Sequence, residues 1–219
     1  MGFIGSGHIG GTLARLSVAA GYQVVLSNSR GPETLAGLAG ELGTQARAAT
    51  SADAAAAGDI VVVTIPLRAY RSVPAAPLAG RVVIDTGNYY PERDGQFPEL
   101  DSGSVTSSEL VQRHLPDSAV VKAFNNIFFK HLESLGRPRG AEDRTALPVA
   151  GDDPAAKATV TGYLDAIGYD AVDAGTLADS WRMQPGTPVY GAPYGPFSDE
   201  KGVPAGAAAV EAALARAAR

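Results

Sequence analysis

Gly5-Ser6-Gly7-His8-Ile9-Gly10 is the stretch whose reading decides the fold. Before it stands a short apolar run, Gly2-Phe3-Ile4. After it, Ile9, Leu13, Leu16 and Ala20 recur at helical spacing on one face. Gly21 ends that helix, and Tyr22-Gln23-Val24-Val25-Leu26 reads as a second strand. Strand, G-x-G-x-x-G turn, helix and strand in this order make a βαβ unit suited to a dinucleotide. The first glycine permits the tight turn, the second lets backbone approach a pyrophosphate, and the third lets helix pack on strand. The helix N-terminus offers unpaired N–H groups and the positive end of its dipole to the phosphates. Gly5, Ser6, Gly7, His8, Ile9 and Gly10 are therefore expected to bind cofactor.

The residues after the second strand decide which dinucleotide. NAD binders usually place a carboxylate there for the ribose 2′-hydroxyl. This chain has Ser27-Asn28-Ser29-Arg30-Gly31-Pro32 instead. Hydroxyls, an amide and a guanidinium suit a 2′-phosphate, and Pro32 near the start of the next helix adds free N–H groups to the same anion site. The expected cofactor is NADP(H), with Ser27, Asn28, Ser29 and Arg30 around the phosphate.

Further along, the alternation continues. A helix is expected over residues 33–43 and a short strand from Gln45 to Ala49. Ser51 is expected to cap the Ala-rich segment Ala52 to Ala57. The β-branched run Ile60 to Ile65 reads as a central parallel strand buried on both faces. Leu67 to Val73 is helix-compatible, and Arg81 to Asp85 is another strand. Ser107 or Ser108 is expected to cap a helix running to Leu115. A strand from Val120 to Asn126, a helix from Ile127 to Leu135 and a strand from Thr145 to Ala150 follow. Asp153-Pro154 pairs an N-cap with Pro at N1, for a helix to Ile167 before a short strand from Tyr169 to Val172. Pro204 is expected to start a last helix with Arg216 and Arg219 at its end. This is an α/β chain with a doubly wound, mostly parallel sheet of Rossmann type. Residues 1–176 are expected to form the NADP-binding domain, and 177–219 a C-terminal extension packed on it that covers substrate.

Composition narrows the classes. The chain has 219 residues, 45% hydrophobic and 19% charged, enough for a substantial core. A net charge of −5 leaves no basic footprint for nucleic acid. With no cysteine, disulfides, thiolate metal sites and a cysteine nucleophile are excluded. His8, His114 and His131 are widely separated, so no metal site is expected. The N-terminus has no basic stretch before its apolar residues, and the chain has no long apolar run; a cytoplasmic protein without a membrane partner is expected.

Taken together, GFIGSGHIGG (2–11), SNSRGPETL (27–35), DTGNYYP (85–91), SSELVQRHLP (107–116), VVKAFNNI (120–127) and DSWRMQPGTPVY (179–190) resemble the NADPH-dependent coenzyme F420 reductases and their bacterial dinucleotide-binding relatives. The chain carries GSGHIGG where the family often has GGTGxxGxG. The resemblance implies one Rossmann domain holding NADP(H), F420 as second substrate, a short C-terminal cover and a homodimer. It also implies that Ser29 and Arg30 take the 2′-phosphate, and that the loops at Ile65-Pro66 and Gly87-Asn88 border the nicotinamide.

In doubly wound sheets ligands lie beyond the carboxyl ends of the strands. Ile65, Pro66, Leu67, Gly87, Asn88, Ala123 and Asn125 complete the cofactor set on that ground. Hydride transfer between two rings asks chiefly for positioning. A small imine, enone or carbonyl acceptor would add a need for a proton donor, for which Tyr89, Tyr90, Lys122 and His131 are eligible, with Tyr89, Lys122 and His131 kept as catalytic candidates. Lys122 is either an end-of-strand lysine that snorkels or a cofactor contact. An NADP(H)-binding redox sensor is the rival of another class. An aromatic wall at Tyr89, Tyr90, Trp181, Tyr190 and Tyr194 argues for an enzyme, since a sensor needs no second ring pocket. The segment Trp181 to Phe197 is expected to fold over the cleft and exclude water, or else to pack at the sheet edge or a dimer contact.

Overall fold

A computed structural model describes residues 1–218; Arg219 lies outside the described residues. β1 (Gly2–Ile4) runs into the glycine turn and α1 (His8–Ala19), and β2 (Val24–Ser27) returns beside it. A 3-10 turn (Pro32–Leu35) leads to α2 (Ala36–Leu42), β3 (Ala46–Ala48), α3 (Ser51–Ala57) and β4 (Ile60–Val63). Then come β5 (Val82–Asp85), the one-turn helices α4 (Pro91–Asp94) and α5 (Pro98–Asp101), and α6 (Ser107–His114). β6 (Ala119–Lys122), α7 (Phe129–Ser134), β7 (Ala146–Gly151), α8 (Pro154–Ala166), β8 (Asp170–Asp173) and α9 (Ala207–Ala215) complete the chain.

Among the described residues the sheet has eight strands, in the order β3-β2-β1-β4-β5-β6-β7-β8. Its order reverses between β1 and β4, which brings the ends of those strands together as a crevice. All neighbours pair in parallel except β6 and β7, which run antiparallel. The antiparallel step is a departure that the buried apolar pattern of β7 does not reveal, because a strand covered on both faces reads the same in either direction.

Close packing at the crevice depends on glycine. Gly5 sits at φ +102°, open to glycine without strain, and a Cβ on Gly10 would overlap the Gly5 carbonyl and the Thr64 methyl. The third glycine thus lets α1 rest directly on the turn. Behind it Leu13, Phe3 and Leu26 have no exposed surface, each contributing about 2 kcal/mol of apolar burial. Ser17 donates to the Leu13 carbonyl at 2.7 Å and meets Tyr163 Oη at 2.8 Å, joining α1 to α8 inside the core.

Several predicted boundaries move. Thr50, not Ser51, caps α3, and Thr106, not Ser107 or Ser108, caps α6 in a capping box with Glu109. The last helix is preceded by Gly206 and begins at Ala207, so Pro204 does not start it. Leu67–Ser72 forms a 3-10 helix, and the helix expected from Ile127 begins at Phe129. The strand expected from Val120 to Asn126 ends at Lys122. Asp153 caps α8 as expected, accepting from the N–H groups of Ala155 and Ala156. Among the described residues no helix is long and apolar enough to cross a membrane.

Candidate active site

The glycine turn and the loop after β2 are braced on each other. Ser27 has no exposed surface; its hydroxyl donates to the Phe3 carbonyl, and its carbonyl accepts from Gly5 N–H and the Ser6 hydroxyl, all at 2.8–3.0 Å. Its side chain is therefore spent inside the fold, which corrects its expected place at the phosphate. Asn28 is a loop builder too: Oδ1 accepts from Arg30 N–H at 2.9 Å, and Nδ2 donates to Thr34 Oγ1 at 2.8 Å. Thr34 in turn donates to the Gly31 carbonyl at 2.8 Å, with Gly31 at φ +98°. This bracing presents Ser29 and Arg30 to solvent.

What remains open is a phosphate-sized approach. Gly7 is the N-cap of α1 and supplies no side-chain cap, so the first N–H groups of the helix are unclaimed by one. A Cβ at Gly7 would have no atom within 4 Å, so space lies directly over the turn. A cavity of about 590 Å³ runs from this point between Ser6, Asn28, Ser29 and Arg30 on one side and Ser51, Ser72 and Pro66 on the other. Ser51, Thr64 and Ser72 were not singled out in the sequence; their hydroxyls carry no motif, and only the fold gathers them there.

A second cavity of about 490 Å³ shares Gly7, Thr64, Ile65 and Pro66 with the first. Its floor is the carboxyl ends of β4, β5 and β6, through Ile65, Pro66, Thr86, Gly87, Asn88 and Asn125. Here register explains what spacing hides. Asp85 pairs with Lys122 across β5 and β6, and both side chains are almost wholly buried, at 3% and 0% exposure. Asp85 Oδ1 accepts from Gly87 N–H at 2.8 Å, and Oδ2 accepts from Ser108 Oγ at 2.7 Å and Lys122 Nζ at 3.1 Å. Lys122 also donates to the Gly87 carbonyl and to Ser107 Oγ. The ion pair pins the loop that carries Gly87 and Asn88. Lys122 neither snorkels nor faces the cavity, which corrects both readings of it.

Beside that loop, Asn88 and Asn125 clasp each other. Asn88 Nδ2 donates to the Asn125 carbonyl at 2.8 Å, and Asn125 Nδ2 donates to Asn88 Oδ1 at 3.0 Å and the Met183 carbonyl at 2.7 Å. Asn126 continues the stitching, donating to the Val189 carbonyl at 3.0 Å. Both asparagines follow Phe124, which is fully buried at φ +62°, a left-handed conformation that costs a non-glycine residue about 1–3 kcal/mol. The buried phenyl holds the chain there, and the turn aims Asn125 and Asn126 at the C-terminal segment.

Aromatic rings wall the cavity. His8 stacks on Phe129 with centroids 4.3 Å apart, Phe128 meets Phe129 at 4.7 Å and Phe197 at 5.4 Å, and Phe197 meets Tyr190 at 6.1 Å. The Tyr190 and Tyr90 hydroxyls are 2.5 Å apart, and the Arg93 guanidinium lies 4.8 Å from the centre of the Tyr90 ring. Tyr190 keeps its proton above the usual phenol range, first because it is buried and then through its bond to Tyr90. Of the expected wall, Tyr90 and Tyr190 line the cavity. Tyr194 is a core residue without exposed surface, donating to the Ala146 carbonyl at 3.1 Å. Tyr89 turns away to donate to Asp101 at 2.6 Å, and Trp181 is not among the lining residues.

The other candidates separate as well. His131 is buried and its Nε2 engages the Asp199 carbonyl, away from the cavity lining. His114 ends α6 and meets the Val73 carbonyl at 2.8 Å. Leu67 and Ala123 are core residues, and Gly10 lies beneath the turn. Gly5, Ser6, Gly7, His8, Ile9, Asn28, Ser29, Arg30, Ile65, Pro66, Gly87, Asn88 and Asn125 come together along the two joined cavities. Among the described residues no group of His, Cys, Asp or Glu could hold a metal ion.

Residues 1–89 match the family described as "NADP oxidoreductase coenzyme F420-dependent". The solved structure of hypothetical protein SMa0349 from Sinorhizobium meliloti superposes with a TM-score of 0.73 at 30% identity, covering 85% of this chain and 90% of that one. The F420-dependent NADP reductase of Methanocaldococcus jannaschii is 32% identical over 63% of this chain and 62% of its own length. Over its first 89 residues the chain is thus similar to the coenzyme F420-dependent NADP oxidoreductases. Rat Metalloreductase STEAP3 is 31% identical over 84% of this chain, and the match spans 35% of that protein. The chain thus covers about a third of one curated relative's length and under two thirds of another's.

Proposed function

We propose that this chain is an oxidoreductase that exchanges hydride between NADP(H) and coenzyme F420. The observation that carries the reading is the continuity of the two cavities across Gly7, Thr64, Ile65 and Pro66. One end has an open helix N-terminus and the exposed Arg30, the chemistry a pyrophosphate and a 2′-phosphate require. Gly7 leaves room for a backbone approach, so the residues present fit the cofactor. The other end is a chamber walled by aromatic rings, which suits a second flat conjugated ring and which a sensor would leave unused. NADPH bound here would supply a hydride toward that chamber. The protein's part is to hold two rings in contact and keep water out.

In this reading Ser29 and Arg30 hold the 2′-phosphate, the Gly5–Gly10 turn holds the pyrophosphate, and Pro66, Asn88 and Asn125 border the nicotinamide. Residues 177–219 act as a cover within the same domain, through Tyr190 and Phe197, in a cytoplasmic homodimer. One assay tests the function: NADPH is mixed with F420 and the protein, and the absorbance of both is followed. Stoichiometric loss of both supports the proposal. Tight NADPH binding without any F420 reduction rejects F420 as the acceptor.

A further inference from the structure

Four titratable side chains line the aromatic chamber among the described residues: His8, Tyr90, Arg93 and Tyr190. Arg93 donates to both carboxylate oxygens of Asp94 and to the Asn88 carbonyl, and a guanidinium does not give up a proton. His8 opens α1 at the phosphate turn, with its ring laid on Phe129. The two tyrosines remain, and they are a unit with hydroxyls 2.5 Å apart.

We propose that Tyr90 is the proton donor to the reduced acceptor, and that Tyr190 is the positioning residue that readies it. This rests on the functional reading above. Two neutral phenols in contact divide their roles: one donates and the other accepts. Burial, and then the bond to Tyr90, both oppose ionisation of Tyr190. When Tyr190 donates to Tyr90 Oη, the Tyr90 proton is left for the chamber. The groups facing Tyr90 favour the same division. The Arg93 guanidinium lies over its ring at 4.8 Å, offset in part by Asp94, which accepts the Tyr90 backbone N–H at 3.1 Å. A phenolate formed at Tyr90 would keep the hydrogen bond from Tyr190 and the nearby guanidinium charge.

The step balances. Reduction of a conjugated acceptor adds a hydride, carrying the electron pair, at carbon and a proton at the heteroatom where negative charge gathers. The Tyr90 O–H bond breaks and the proton joins that heteroatom. Tyr90 is left as a phenolate accepting from Tyr190, and solvent returns its proton after product leaves.

The test uses the full chain, NADPH and F420. Tyr90→Phe is expected to lower kcat/KM by roughly a hundredfold or more, the low end for a lost general acid. NADPH affinity by fluorescence titration should stay within about twofold, as this side chain does not line the Arg30 end of the groove. Wild type should show a solvent deuterium isotope effect on turnover, which Tyr90→Phe should lose. A readout without acceptor is the 1H NMR signal of the proton between the two hydroxyls: a bond of 2.5 Å should shift it downfield, and both Tyr90→Phe and Tyr190→Phe should remove it. Tyr190→Phe, which keeps the Tyr90 O–H, should lose less activity than Tyr90→Phe and keep the isotope effect. Tyr90→Phe with wild-type kcat/KM, or Tyr190→Phe at least as damaging as Tyr90→Phe, overturns the assignment. A wild type that binds NADPH yet leaves F420 untouched overturns the functional reading and this one with it.

Discussion

Replacing Lys122 by Met removes a charge from a site closed to solvent. The ammonium is fully buried, and its loss leaves the Asp85 carboxylate 3% exposed with only Ser108 Oγ and Gly87 N–H as partners. The Gly87 carbonyl and Ser107 hydroxyl lose their donor in the same step. Breaking a buried pair in this way costs about 3–5 kcal/mol, most of it the stranded charge. For a chain of this size that corresponds to a fall in Tm of about 6–20 °C. Thermal and denaturant unfolding by circular dichroism measure it directly. The companion variant Asp85→Asn with Lys122→Met removes both charges and should recover at least about 2 kcal/mol of the loss. NADPH affinity should weaken in Lys122→Met as well, because the ion pair holds the Gly87-Asn88 loop. A single variant that loses under about 1 kcal/mol, or a double variant no better than the single, would refute the view that this pair organises the loop.

Arg30→Ala should weaken NADPH binding by about ten- to a hundredfold and leave NADH nearly unchanged, since it removes charged hydrogen bonds worth about 1.5–3 kcal/mol; equal losses for both nucleotides count against Arg30 as the phosphate reader. Gly7→Val should fold, having no protein atom within 4 Å of the new Cβ, but should abolish NADPH binding in a fluorescence titration. Tyr194→Ala should cost about 3–5 kcal/mol of stability as a core truncation, so any loss of turnover must be read against its unfolding curve. Asp94 is held below its ordinary value of 3.8: burial opposes this, but Arg93 and the N–H groups of Tyr90 and Arg68 outweigh it. Its contribution to stability is therefore complete above pH ~4 and fades as pH falls through the lowered value; Asp94→Asn should flatten that acid limb, and an unchanged limb would show that Asp94 does not shape it.

How much of this could be read in the sequence depended on the range of the interaction. β1, the turn, α1 and β2 were legible because glycine spacing and helical periodicity are local signals. Caps were less so, because Thr50 and Ser51, or Thr106 and Ser107, offer the same chemistry one residue apart and only backbone angles choose between them. Lys122 was visible as a charge in an apolar strand, but its partner Asp85 lies 37 residues away and emerges only from strand register. Tyr190 and Tyr194 look alike in a broken, proline-rich segment. Gly191 at φ +75° turns the chain between them, so one faces the chamber and the other fills the core.

The joint between β6 and β7 has a mechanical consequence. It consists of two register pairs, Val121 with Gly151 and Lys122 with Ala150, whereas β7 and β8 share four. The segment bearing Tyr190 and Phe197 follows β8, so one wall of the chamber is anchored beyond this narrow joint, and its floor before it. Asn125 and Asn126, reaching across to the carbonyls of Met183 and Val189, act as a latch between the two parts. Breathing at such a joint would widen the acceptor end alone, because the Arg30 loop follows β2, on the far side of β1 and β4 in the sheet. A nucleotide could stay moored by its phosphates while the opposite end of the same groove admits and releases its guest.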